Sequence, residues 1–128
     1  MRIGAMDWVA LLGRVLMSAI FIQAGVMKAL SPEGTMAYFG KIGLPMPGAA
    51  YAVTLAVEIG VGILFLVGFR ARLTALILAV WCIATAFVAH YHPDSREQMI
   101  HFMKNVCMAG GFLQVVAYGA GRLSADRT

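Results

Sequence analysis

Apolar residues fall in four long runs separated by short polar breaks. The first run covers about residues 8–29, opened by Met1-Arg2 and closed by Lys28 and Ser31-Pro32. A secretory signal has an apolar core of only about 7–15 residues followed by a small-residue cleavage site, so this longer run reads as a retained membrane span. The second, about 48–68, follows Pro45 and Pro47 and is interrupted only by Glu58. The third covers about 72–90 and stops at His92-Pro93, and the fourth covers about 97–118 and ends at Gly119. Asp94 and Glu97 have the spacing of a capping box for the fourth helix. Each run is close to the roughly 20 residues that cross a bilayer as a helix.

The breaks give the connections. Ser31-Pro32-Glu33 reads as an N-cap, a proline in the first turn and an acid beside the positive end of the dipole. It predicts a short interfacial helix through Tyr38 and Phe39 to about Ile42, ended by Gly43. Gly68-Phe69-Arg70-Ala71-Arg72 is short enough to force an antiparallel hairpin. The predicted fold is all-α: a polytopic membrane protein whose four spans form an antiparallel bundle, with a short interfacial helix between spans one and two.

Composition agrees and narrows the class. Of 128 residues, 61% are hydrophobic and 12% charged, with a mean hydropathy of +0.82, whereas soluble domains carry roughly half apolar and about a quarter charged residues. That excludes a soluble domain, a disordered chain and a disulfide scaffold. The length holds four spans comfortably, which predicts a single domain over 1–128. The net charge of +4 is no nucleic-acid signal here, because basic residues on a polytopic chain report orientation. Arg2, Arg70, Arg72, Arg122 and Arg127 fall on the side shared by both termini and the middle turn, against Lys41 and Arg96 opposite. The positive-inside rule then predicts cytoplasmic termini.

Charges inside the spans are the candidates for function, since each needs a partner or a purpose. Glu58 lies at the middle of span two, with Gly62 one turn on along the same face. Ala52, Ala56 and Gly60 form a small-residue series that would let a neighbouring helix approach. In span one, Arg14, Phe21, Gly25 and Lys28 share a face. In span four, His101, Lys104, Asn105 and Met108 do so. These residues predict a buried polar network of Arg14, Lys28, Glu58, Lys104 and Asn105. Two alternatives stand beside it: Lys28 and Arg14 can snorkel to the interfaces, and Glu58 can form a structural ion pair with Arg14 or be held protonated.

Other chemistry is weaker. His90, His92, Asp94, Glu97 and His101 gather near one loop, but without an established metal-ligand spacing, and no metal site is assigned. Trp8, Tyr91 and Tyr118 are interface anchors, and Trp81 is read as packing. Cys82 and Cys107 form no CxxC and are read as buried small hydrophobes.

Arg14 with Phe21-x-x-x-Gly25-x-x-Lys28, Glu58 with its small neighbours, Gly68-x-Arg70, and Lys104-Asn105 followed by Gly110-Gly111 resemble, in this order, the DoxX family of small four-helix membrane proteins. The likeness covers nearly the whole chain. It implies a bacterial inner-membrane protein in a quinone-linked or redox-stress oxidoreductase system, since the family takes its name from a small subunit associated with an archaeal thiosulfate:quinone oxidoreductase and terminal oxidase. The sequence carries no haem, flavin or nucleotide motif, so a quinone or a redox partner subunit would supply the electron chemistry. A non-enzymatic membrane subunit, or a binder or transporter of a small solute with structural buried charges, is the alternative. The partners expected are the lipid bilayer, a redox partner subunit and further copies of the chain in a homo-oligomer, with no nucleic acid.

Overall fold

The computed structural model describes residues 2–127, leaving Met1 and Thr128 outside the account. Five helices follow one another: α1 Ala5–Ala29, α2 Pro32–Lys41, α3 Pro47–Val67, α4 Ala71–Ala89 and α5 Arg96–Tyr118. All but α2 are long and apolar enough to cross a membrane. The expected spans agree to within a residue or so at every end except the start of α1. There the Asp7 carboxylate accepts from the Gly4 amide at 2.8 Å and carries the helix one turn further toward the N-terminus.

The helix ends follow local chemistry. Ser31 is the N-cap of α2 with Pro32 behind it, and α2 closes on a left-handed Gly43 (φ 88°). The amides of Gly43 and Leu44 return to the carbonyls of Gly40 and Phe39 at 3.1 and 3.0 Å, which satisfies carbonyls the helix leaves open. The expected cap of α5 is corrected by one residue. Ser95, not Asp94, accepts from the Gln98 amide, at 3.3 Å.

In lipid the apolar effect does not drive helices together, so close packing must. Leu16, Val80 and Leu113 accordingly point outward, while the core is Phe21, Phe65, Ala75, Leu78, Ala79, Cys82, Ala109 and Phe112. The Phe112 ring meets Phe21 and Phe65 edge-on, with centroids 5.5 and 5.1 Å away. Small residues at the helix repeat do bring neighbours close, but on a different helix from the one expected. Ala71, Ala75, Ala79, Cys82 and Ala86 form the buried side of α4, which packs chiefly against α5. Ala52, Ala56 and Gly60 on α3 instead face outward, and a Cβ on Gly60 would meet nothing within 4 Å.

Residues 119–126 fold back across the end of the bundle. The amides of Ala125 and Asp126 donate to the carbonyls of Val67 and Gly68 at 2.8 and 3.0 Å. The Asp126 carboxylate accepts from the amides of Arg70 and Ala71 at 2.7 and 2.6 Å, an N-terminal cap for α4 supplied from more than 50 residues away. Gly68 makes this junction possible. Its φ is 74°, and a Cβ there would stand 2.3 Å from the Ser124 Cβ. Gly68→Ala should therefore lower stability by about 2 kcal/mol or more and speed proteolysis of the tail; an unchanged thermal midpoint in detergent would contradict this packing.

Candidate functional site

At the middle of α3 the backbone winds one residue wider per turn. Ala56–Val61 is a π-helical segment, a local irregularity that is costly and is found often at functional positions. Glu58 lies within it and is 6% exposed. Nothing in the periodicity of an apolar span announces such a turn.

The approach of α1 supplies the partner. A Cβ on Gly25 would lie 2.5 Å from the Ile59 Cγ1 and 3.1 Å from the Glu58 Cβ, so only glycine lets the two helices meet at this level. Lys28, one turn further along α1, then places its Nζ 2.7 Å from the Glu58 Oε1. Its side chain is 31% exposed and that of Glu58 is 8% exposed. Lys28 is thus an ion-pair partner rather than a snorkelling residue. Gly62 is buried on the Glu58 side of α3 as expected, but its space is taken by α1, since a Cβ there would meet the Ile22 Cγ1 at 3.2 Å.

Trp81 was expected to do no more than pack. Its Nε1 donates to the other carboxylate oxygen of Glu58, Oε2, at 3.3 Å. The signal available in the sequence was the indole N–H itself, which needs an acceptor when it sits mid-span. Thr85 on α4 was also passed over: its hydroxyl donates to the Trp81 carbonyl at 2.8 Å and accepts from the Asn105 Nδ2 at 3.0 Å. The Asn105 Nδ2 lies 3.3 Å from the Cys82 carbonyl as well. Tyr51, a third residue the spacing did not single out, donates its hydroxyl to the Lys28 carbonyl at 3.2 Å. All four spans therefore contribute to a connected set of polar groups.

Two expected members stand apart. Arg14 does not join Glu58. It is 2% exposed near the opposite end of the bundle, about 21 Å along α1 from Lys28 at 1.5 Å per residue. Its guanidinium donates to the Leu66 carbonyl at 2.5 Å and to the Leu123 carbonyl of the folded-back tail. The expected Arg14–Glu58 pairing is therefore replaced by a tail anchor at Arg14 and a Lys28 pair at Glu58. Lys104 lies beside the network with no ion pair among the described residues, its Nζ 3.5 Å from the His101 Nδ1.

The histidines do not converge on one point. The rings of His90 and His101 are 5.4 Å apart, and His90 is engaged through Nδ1 with the Gln98 Oε1 at 2.9 Å. Among the described residues no three His, Cys, Asp or Glu side chains come together as a metal would need. Cys82 is buried, whereas Cys107 is exposed on the outer face of α5, which corrects its reading as buried.

The Lys28–Glu58 pair and its polar neighbours line a cavity of about 710 Å³. Lys28, Glu58, Trp81, Lys104 and Asn105 are on its wall, and Phe21, Val53, Val88 and Met108 supply apolar surface. Tyr38 and Phe39 of α2, with Leu44, Pro45 and Met46 of the following loop, border it from the interfacial side. A mostly apolar recess with a few fixed polar groups is the usual form of a small-molecule site. Its wall is mostly apolar and comes largely from the four long apolar helices, so it suits an apolar molecule.

Fold and site together define a polytopic helical-bundle membrane protein with an ion pair on the wall of an apolar cavity. The DoxX family pattern matches residues 9–91, and the chain belongs to that family. It is 34% identical over 122 residues to the inner membrane protein YphA of Escherichia coli K12, covering 91% of this chain and 87% of that one. It is 37% identical over 117 residues to the inner membrane protein YqjF of the same organism, covering 91% and 88% respectively. No solved structure matches. Lys28, Glu58 and Trp81 fall inside the family match, while Lys104 and Asn105 lie beyond it.

Proposed function

We propose that the chain is a quinone-binding component of a redox or redox-stress oxidoreductase system in the bacterial inner membrane, with both termini cytoplasmic. The observation that carries this reading is the about 710 Å³ apolar cavity with the Lys28–Glu58 pair on its wall. A lipid-soluble ring fits the apolar surface, and the polar groups fit its oxygens. Lys28 has two N–H donors left after pairing with Glu58, and Lys104 has donors of its own. Glu58 holds a carboxylate where a proton can be taken up or given. A quinone would supply two-electron chemistry, with its electrons coming from a redox partner subunit. Topology is part of the proposal: Arg2, Arg70, Arg72 and Arg122 lie at the end where the tail folds back, so the cavity faces the outer leaflet.

The test is binding. Adding decylubiquinone to purified protein should raise its thermal midpoint in a saturable way, and Glu58→Gln should reduce that rise. Absence of any shift for ubiquinone and menaquinone analogues alike would contradict the proposal.

A second reading has one observation in its favour: both oxygens of Glu58 already have protein partners. On that reading the pair only joins α1 to α3, in a non-enzymatic subunit or a small-solute binder. The double variant Lys28→Gln with Glu58→Gln separates the two. If the pair is structural, the folded double variant keeps its ligand response; if the pair serves the ligand, the response is lost.

A further inference from the structure

Asn105 is held in one orientation by groups that cannot be reversed. The Cys82 carbonyl only accepts, so the side-chain amide must turn its Nδ2 toward it, at 3.3 Å. Thr85 spends its single hydroxyl hydrogen on the backbone carbonyls of its own helix, at 2.8 Å to Trp81 and 3.2 Å to Cys82. Its oxygen is left to accept the second Nδ2 hydrogen, at 3.0 Å. Both amide hydrogens are thereby committed to α4, and the Asn105 Oδ1 is turned away from it. That oxygen takes no hydrogen bond from the described residues, yet it is not sealed in. Among the described residues the one buried side-chain N or O atom without a partner is the Arg14 Nε, and Asn105 is on the cavity wall. The cavity thus offers a fixed, neutral acceptor at Asn105 beside the donors of Lys28 and Lys104.

We infer that Asn105 makes this cavity selective for the reduced, dihydroxy form of its ligand: the hydroquinone rather than the quinone. The inference rests on the quinone reading above. A quinone carries only acceptors, so it can satisfy the lysines but sets oxygen against the Asn105 Oδ1. Each hydroxyl of a hydroquinone both donates and accepts, so it satisfies the amide oxygen and the ammonium groups together. An acceptor left facing an acceptor in a low-dielectric site is costly, and sites built to hydrogen-bond a hydroxyl discriminate against analogues that lack it. A preference of about tenfold corresponds to one such hydrogen bond. It would raise the potential of the bound couple by about 30 mV.

The experiment compares decylubiquinone, its hydroquinone and the dimethyl ether of that hydroquinone on the wild-type protein, anaerobically, by thermal midpoint against ligand concentration. The expected order is hydroquinone tightest by about tenfold, with the ether no tighter than the quinone because its hydroxyl hydrogens are gone. Asn105→Leu should bring hydroquinone and quinone to equal affinity. Thr85→Val, which removes one of the two anchors of the amide, should narrow the gap without closing it. Equal wild-type affinities for quinone and hydroquinone would overturn the role of Asn105 while leaving the quinone site intact. So would an ether that binds like the hydroquinone. Failure of all three compounds to bind would overturn the site reading itself and this inference with it. The comparison of ligands on the unaltered protein decides the matter even if Asn105→Leu does not fold.

Discussion

Lys28→Met should cost about 3–5 kcal/mol of stability, because it leaves the Glu58 carboxylate buried without its cation. Among the described residues the Trp81 indole, at 3.3 Å, remains as its only side-chain hydrogen bond. Glu58→Met should cost less, since Lys28 is 31% exposed and has a long stem with which to reach the cavity mouth. The double variant Lys28→Met with Glu58→Met should recover most of the loss, as apolar pairs commonly replace buried ion pairs at little cost. A double-mutant cycle in detergent or nanodiscs, read by reversible unfolding, measures the coupling. Additive losses from the two single variants would show that the pair is not coupled and would remove the basis for placing Glu58 in a shared site.

Arg14→Met should produce the second large effect, at the other end of the bundle. The guanidinium bridges the Leu66 carbonyl of α3 and the Leu123 carbonyl of the tail. Its removal leaves both acceptors without that donor and opens the space it fills, at a cost of about 3 kcal/mol. Arg14→Lys should not rescue the loss, because one ammonium lacks the fork that reaches two carbonyls. Release of the tail frees the backbone around Arg122, whose side chain is exposed and donates from Nη1 to the Arg2 carbonyl at 2.9 Å. Limited trypsin digestion should therefore cut the variant faster than the wild type. Wild-type resistance to trypsin in Arg14→Met would contradict the anchoring role, and the cavity at the opposite end should keep its ligand response.

The contrast between Lys28 and Arg14 shows where sequence reasoning held and where it stopped. The helix bounds, the short helix after α1 and the place of Glu58 at mid-helix follow from apolar run length and from Pro, Ser and Gly signals, all of which are local. Which basic residue faces Glu58 is not local. Arg14 and Lys28 share one helix face with Glu58 at a depth between them. The choice is made by Gly25, where the helices touch, and by a tail that engages Arg14 at the other end of the bundle. That tail is written in ordinary polar residues, Ser124 and Asp126, whose partners are backbone groups far away in the chain. The small-residue series was read on α3 when the buried one is on α4, because small residues mark a close approach without saying which of two helices makes it. Lys104 and Asn105, read on one helix face, both line the cavity. Trp81, read as packing, and Thr85, which the spacing does not single out, tie Glu58 and Asn105 into one network although each offers only a single hydrogen to its surroundings.

The π-helical turn at Ala56–Val61 was equally invisible, since it changes the hydrogen-bond pattern without changing the apolar character of the span. Its coincidence with Glu58 puts the backbone irregularity, the ion pair and the cavity wall in one place. That convergence is the physical basis for reading the cavity as a site rather than as a packing defect.

The most direct test of that reading is to identify what fills the cavity in the native membrane. The protein should be extracted in lipid nanodiscs, without detergent exchange, and its bound small molecules quantified by mass spectrometry for the wild type and for the folded double variant Lys28→Gln with Glu58→Gln. The quinone-site account predicts a quinone or hydroquinone at near-stoichiometric level in the wild type and its loss from the double variant. Equal quinone content in the two, or a wild-type cavity filled only by phospholipid, would contradict it.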